Sequence, residues 1–207
     1  MQIERRTLFA TLAATWLGQA AWADTARANT APPSRIRGTI DAMSGQTLSI
    51  TDRDGAKVSV ALRTGTTVTE IAPAKLADIK PGSYIGTAAM PQPDGSLMAM
   101  EIQVFPERMR GVGEGNRPWD LRPQSTMTNG TVGSVTGTAG RVLTLKYAGG
   151  EKKVTVPEQA PIITYEPGNV AMLKPGAHVL ILASKTPDGG WTADRVSVGR
   201  DGLVPPM

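Results

Sequence analysis

The 207-residue chain contains no cysteine and one histidine, His178. The first absence excludes disulfides, thiolate metal sites, a cysteine nucleophile and a lipid-anchoring cysteine. The second leaves hydrolase triads without support, because no G-x-S-x-G surrounds any serine to supply the nucleophile either. Aromatic residues are 4% of the chain, and Tyr84, Phe105, Trp119, Tyr147, Tyr165 and Trp191 are scattered along it. Single-strand nucleic-acid binding needs such rings stacked in a basic groove, so that class is set aside. The charge is mild, 22 Lys+Arg against 18 Asp+Glu for a net +4, and says little about partners. Beyond the N-terminus no apolar run approaches the roughly 20 residues a membrane helix requires.

What is present begins with a segment unlike the rest. Glu4-Arg5-Arg6-Thr7-Leu8-Phe9 precedes a mostly apolar run to Trp22, and Ala21-Trp22-Ala23 places small residues just before Asp24. A basic head, an apolar middle and an A-x-A end describe an export signal at 1–23, removed at maturity. Arg5-Arg6 is compatible with either the secretory or the twin-arginine route. Residues 24–35, with Pro32-Pro33, read as a flexible leader. The expected product is periplasmic.

From Ile36 onward apolar residues recur at every second position: Ile36, Gly38, Ile40; Leu48, Ile50; Val58, Val60, Leu62. That period puts one face of each strand in a core. Ser44-Gly45 and Asp54-Gly55 supply the hairpin turns. A short helical turn follows Pro73 and stops at Lys80-Pro81-Gly82, and two strands follow near 83–90 and 97–105. The plan then repeats. Gly38-Thr39-Ile40 matches Gly130-Thr131-Val132, and Leu48-Ser49-Ile50 matches Leu143-Thr144-Leu145. Val58-Ser59-Val60 is set against Val154-Thr155-Val156, and Ile79-Lys80-Pro81-Gly82 against Leu173-Lys174-Pro175-Gly176. Asp94-Gly95 pairs with Asp188-Gly189, and Ile102-Gln103-Val104 with Val196-Ser197-Val198.

Three strands, a helical turn and two strands is the order of a five-stranded Greek-key barrel of the OB type. The expected fold is all-β: two tandem OB-like barrels, 36–105 and 130–199, each with one short helical turn. A long ordered connector, 106–129, joins them, and 200–207 form a tail. Each barrel is expected to own a complete strand set and a separate core.

These G-T-I/V openings, D-G hairpins and L/I-K-P-G stops resemble the exported bacterial OB-like repeats catalogued as a domain of unknown function (number 5666). The connector's Gly113-Glu114-Gly115-Asn116-Arg117-Pro118-Trp119-Asp120-Leu121 and Ser125-Thr126-Met127-Thr128-Asn129 are similar to a subset sometimes labelled as metal-transport components. That resemblance implies a metal-handling alternative.

Candidate chemistry is sparse. Gly111-x-Gly113-x-Gly115 lacks the fourth glycine and following helix of a dinucleotide loop, since Asn116 and Pro118 stand there. It reads as a glycine bend. His178 occupies the place of Tyr84 in the other repeat and reads as a barrel-rim side chain. Glu107 and Glu114 lie on a loop with no apolar pocket to separate their pKa values. Met90, Met98 and Met100 are thioethers suited to Cu(I), but Met98 and Met100 share strand parity with Ile102 and Val104, and the group reads as core filling. No metal or cofactor is therefore expected.

The connector remains. Its Arg108, Arg110, Glu114, Arg117, Trp119, Asp120 and Arg122 either strap the barrels together or present a recognition surface, for which Arg and Trp are favoured. Trp119 is expected in an apolar seat at the junction, beside Leu121. The function expected is a non-catalytic binding or scaffolding module in the cell envelope, with a protein or small-ligand partner. The alternatives are a copper- or metal-handling accessory protein and an enzyme of unrecognised type.

Overall fold

The structure is a computed structural model that describes residues 33–206. The expected signal and the leader up to residue 32 lie outside the described residues. The chain is all-β, with β1 Ser34–Ser44, β2 Thr47–Asp52, β3 Lys57–Pro73, β4 Tyr84–Pro91, β5 Leu97–Val104 and β6 Gly115–Pro118. Then come β7 Thr126–Thr136, β8 Val142–Tyr147, β9 Gly150–Thr155, β10 Ile162–Pro167, β11 His178–Lys185 and β12 Trp191–Gly199. Helical structure among the described residues is confined to three-residue 3-10 turns, including Leu76–Asp78 and Val170–Met172 where the repeat places them.

The strands close into rings. β1 pairs with β2, β2 with β3, β3 with β12 in parallel, β12 with β11, and β11 with β1. A second ring runs β7, β8, β9, β5, β4 and back to β7, with β9 and β5 parallel. Closure leaves few free edges, the hazard that an all-β chain must manage.

Each ring takes three strands from one half of the sequence and two from the other. This corrects the expectation that 36–105 and 130–199 form self-contained barrels. The cause lies in the link between the third and fourth strands. β3 is a 17-residue extended segment, roughly 55 Å of chain at about 3.3 Å per residue. Rather than turning back, it carries the chain out of the first ring and into the second. Its far end, Thr69–Pro73, pairs antiparallel with Ile163–Pro167 of β10, which makes the reciprocal crossing. The arrangement is an exchange of identical elements between two copies, here within one chain.

The cores follow the exchange. Ile36, Ile40, Leu48, Ile50 and Val60 pack with Val179, Ile181, Ala193, Val196 and Val198. Ile79, Ile85, Leu97 and Ile102 pack with Val132, Leu143, Leu145, Val154 and Val156. A third cluster at the crossing holds Ile71, Tyr84, Phe105, Ile163, Tyr165 and Leu180. The Phe105 ring is stacked on Tyr165 at 5.3 Å and tilted against Tyr84 at 5.5 Å.

The repeated G-T opening has a steric reason. A Cβ on Gly38 would sit 2.2 Å from the Thr51 carbonyl oxygen, and one on Gly130 2.5 Å from that of Lys146. Strands one and two of each half approach too closely for any larger residue there.

Two further expectations shift. Leu48 pairs with Val60 as Leu143 pairs with Val154, so Val154 matches Val60 and not Val58. The strand face of the methionines is also reversed. Glu101 pairs with Ala88 and Ala99 with Ala89, leaving Met100 as the extra residue of a bulge. A bulge flips the parity beyond it. Leu97 and Ala99 are therefore in the core, while Met98 is exposed and Met90 and Met100 are half-buried.

Candidate functional site

The connector is structured through most of its length. After a 3-10 turn at Glu107–Met109, Gly111, Gly113 and Gly115 take positive φ of 82°, 58° and 116°, a bend open to glycine. β6 then pairs with β7, Gly115 opposite Asn129 and Pro118 opposite Thr126. The return is pinned by Trp119 N donating to the Ser125 carbonyl at 2.8 Å, and by the Ser125 hydroxyl donating to the Arg122 carbonyl at 2.7 Å. Residues 126–129 belong to β7, where Met127, Thr128 and Asn129 are buried. The expected connector is thus shorter, and half of it is a hairpin.

Each candidate side chain has a definite place. Arg108 donates to the Tyr165 carbonyl at 3.3 Å, at the crossing between the rings. Arg110 is forked on Glu107 at 2.6 and 2.8 Å and also donates to the Gly82 carbonyl at 2.9 Å. Glu114 accepts from the Ala148 amide at 3.0 Å in the β8–β9 turn. Arg117 donates to the Gly113 carbonyl at 2.6 Å. These contacts hold the connector to the second ring and the crossing.

Trp119 and Asp120 reach the first ring. The Arg35 guanidinium lies 3.9 Å from the Trp119 ring centroid, and that of Arg117 lies 5.5 Å away. Asp120 accepts from Arg37 at 2.9 and 3.3 Å and pairs with Arg35 at 3.6 Å. The seat of Trp119 is therefore cationic, a correction of the apolar one expected. A flat guanidinium over an indole face gains from the ring quadrupole as well as from contact. Burial pushes the Asp120 carboxyl up, but the Arg37 hydrogen bond and the charges of Arg37 and Arg35 outweigh it and hold it below its usual value. Burial and the neighbouring Arg35 charge lower Arg117. Arg122 takes no part in this group and faces a separate cleft beside Met90, Met98 and Met100.

Sequence reasoning missed the strand residues that complete the group. Arg35 fell in the expected leader and Arg37 in a strand read only for its core face. Their spacing of two was the available signal, since it puts both on the outer side of one strand. It also missed a buried polar row. Glu101 and Gln103 on β5 are covered, with the Gln103 amide donating to Glu101 Oε1 at 2.6 Å and the Tyr165 hydroxyl donating to Gln103 Oε1 at 2.7 Å. Burial pushes the Glu101 carboxyl up to about 7, against the lowering effects of Gln103 and Arg37. Burial raises the Tyr165 phenol as well, and the Glu101 charge adds to it.

Beside this group the outer face of the first ring carries two adjoining clefts. One, of about 300 Å³, lies between Ser34, Arg35, Arg53, Asp54 and Trp191. The other, of about 400 Å³, is lined by Thr39, Leu121, His178, Val204 and Pro206. They share Arg37, Asp52 and Arg53, so they form one trough along β1. His178 lines it with Nδ1 3.0 Å from the Thr39 hydroxyl oxygen. Among the described residues no group of three or more His, Asp or Glu side chains is placed to hold a metal ion.

Residues 37–103 match the family described as Domain of unknown function (DUF5666). No curated protein and no solved structure matches the chain. The matched segment runs from β1 to β5 and therefore spans three strands of one ring and two of the other. Its sequence unit is not the structural unit here.

Proposed function

We propose that this chain is a non-catalytic binding module of the cell envelope, and that the trough along β1, walled by the connector, is its recognition surface. The observation that carries the reading is the Arg35–Trp119–Arg117 stack with Asp120 on Arg37. It fixes an aromatic and several guanidinium groups in one geometry at a surface, and such residues dominate binding energies where they occur pre-ordered. Arg35, Arg37 and Arg53 outnumber Asp52 and Asp54 in the trough's lining. A partner presenting carboxylates on an extended segment fits that balance, with its apolar side chains against Leu121 and Val204.

Each ring is read as an OB-like Greek-key barrel. The support is the parallel pairing of each third strand with the fifth strand of the exchanged pair. Export to the periplasm rests on the basic, apolar and A-x-A pattern of residues 1–23. Among the described residues no helix is long and apolar enough to cross a membrane.

The test is capture from envelope extract, followed by titration of the purified partner. Wild type should retain a partner that Arg53→Glu and Trp119→Ala release, with far-ultraviolet circular dichroism and size-exclusion elution unchanged in both variants. Equal retention by all three proteins would overturn the assignment of the trough. Recovery of the envelope protein with residues 1–23 still attached would overturn export with cleavage.

A further inference from the structure

We propose that Met90, Met98 and Met100 form a surface site for a soft monovalent cation, Cu(I), on the second ring. The site is a separate cleft, which takes Arg122 from the connector where the trough takes Leu121, and it does not depend on the trough's function. Met90 and Met98 are directly opposite each other on β4 and β5, so their side chains rise from one face with Cβ atoms about 5 Å apart. Met100 is the unpaired residue of the adjacent bulge, and bulges re-aim a side chain. All three line one cleft of about 280 Å³, together with Arg122, Pro157 and Gln159.

The other ring supplies an internal control. β11 and β12 carry the same bulge at the same place, with Leu182 opposite Arg195 and Ala183 opposite Ala193. The residues matching Met90, Met98 and Met100 are there Ser184, Thr192 and Asp194. The fold therefore asks for nothing apolar at these positions, and ordinary polar residues satisfy it. Core filling does not explain the methionines either, because Met98 is 37% exposed.

The donor chemistry selects the ligand. Three thioethers are neutral and soft, and that set favours Cu(I) over Zn(II), Mg(II) or Ca(II). A chain without cysteine offers no thiolate to compete for the ion. Long unbranched side chains can close around a cation without moving the strands. Among the described residues that line the cleft Arg122 is the one opposing charge, and it is an exposed side chain on a flexible stem.

The experiment is an anaerobic titration of the full chain with Cu(I) held by a chromophoric chelator. A companion protein carries Met90→Ser, Met98→Thr and Met100→Asp, the residues that the other ring already accommodates. Wild type should withdraw one Cu(I) per chain. The triple variant should lose more than the about 10–100-fold in retention typical of disturbing an outer-shell partner. With Ag(I) as an oxidation-resistant stand-in, the methyl resonances of Met90, Met98 and Met100 should shift while those of Met43, Met127 and Met172 stay. Failure of wild type to withdraw Cu(I), undiminished retention by the triple variant, or shifts confined to other methionines would each overturn the site.

Discussion

Glu70 and Glu166 face each other across the antiparallel pair that joins the two rings, and Arg200 holds both carboxylates. Like charges directly opposite in a sheet are destabilising, so the crossing depends on that arginine. The Arg200 hydrogen bond holds the Glu70 carboxyl below its usual value. Glu70 therefore contributes stability above its unfolded pKa, and the contribution is lost as pH falls through the folded one. Arg200→Ala should lower the thermal midpoint at pH 7, and the deficit should shrink below about pH 4, near the ordinary carboxylate range, as Glu70 protonates. A deficit independent of pH would show that Arg200 acts by packing alone.

Val60 is fully buried in a core that β1–β3 share with β11 and β12. Val60→Ala removes methyl groups and leaves a cavity, at a cost of about 1–3 kcal/mol. Hydrogen exchange should show the loss in residues 36–62 and again in 179–198, with a smaller change in the ring of β7–β9. Loss restricted to the N-terminal half would contradict the exchange of strands.

Glu101 carries the reverse pH signature of Glu70. Its carboxyl is raised to about 7 by burial, so the folded state holds a proton that the unfolded chain has released above its ordinary value. Stability from this group is fullest at acid pH and declines as pH rises from about 4.5 to 7, by on the order of 3 kcal/mol at most. Glu101→Gln keeps the acceptor used by Gln103 and removes the ionisation. It should be more stable than wild type at pH 7.5 and flatten the chemical-denaturation profile across that window.

Trp119 bridges the rings through Arg35, yet the exchanged strands already hold the rings together. Trp119→Ala should leave the chain folded and compact in small-angle scattering. In a double-mutant cycle with Arg35→Ala the coupling should be about 0.5–2 kcal/mol, the range of cation–π pairs. A coupling near zero would mean that the stack is contact without energy.

Much of the local structure was legible in the sequence. Alternation at Ile36–Ile40 and Leu48–Ile50, the D-G turns and the two K-P-G stops located strands and connections, because side-chain period and turn chemistry are local properties. The methionine face was not legible, since one extra residue at Met100 inverts every inference from parity beyond it. The cationic group was half legible. Arg117, Trp119 and Asp120 stood out in the connector, but their partners Arg35 and Arg37 lie on a strand more than 80 residues away, and nothing local announces such a pairing.

The sequence by itself determined that the chain is all-β, that its plan is duplicated, and where most strands begin and end. Only the tertiary structure decided which strands share a core. The fourth and fifth strands of either half carry the same alternation and the same bulge, so each pair fits either ring. The choice rests on whether residues 67–73 and 162–167 turn back or run on. Extended side by side they satisfy each other's backbone groups as a strand pair, a gain that a folded-back link would forgo.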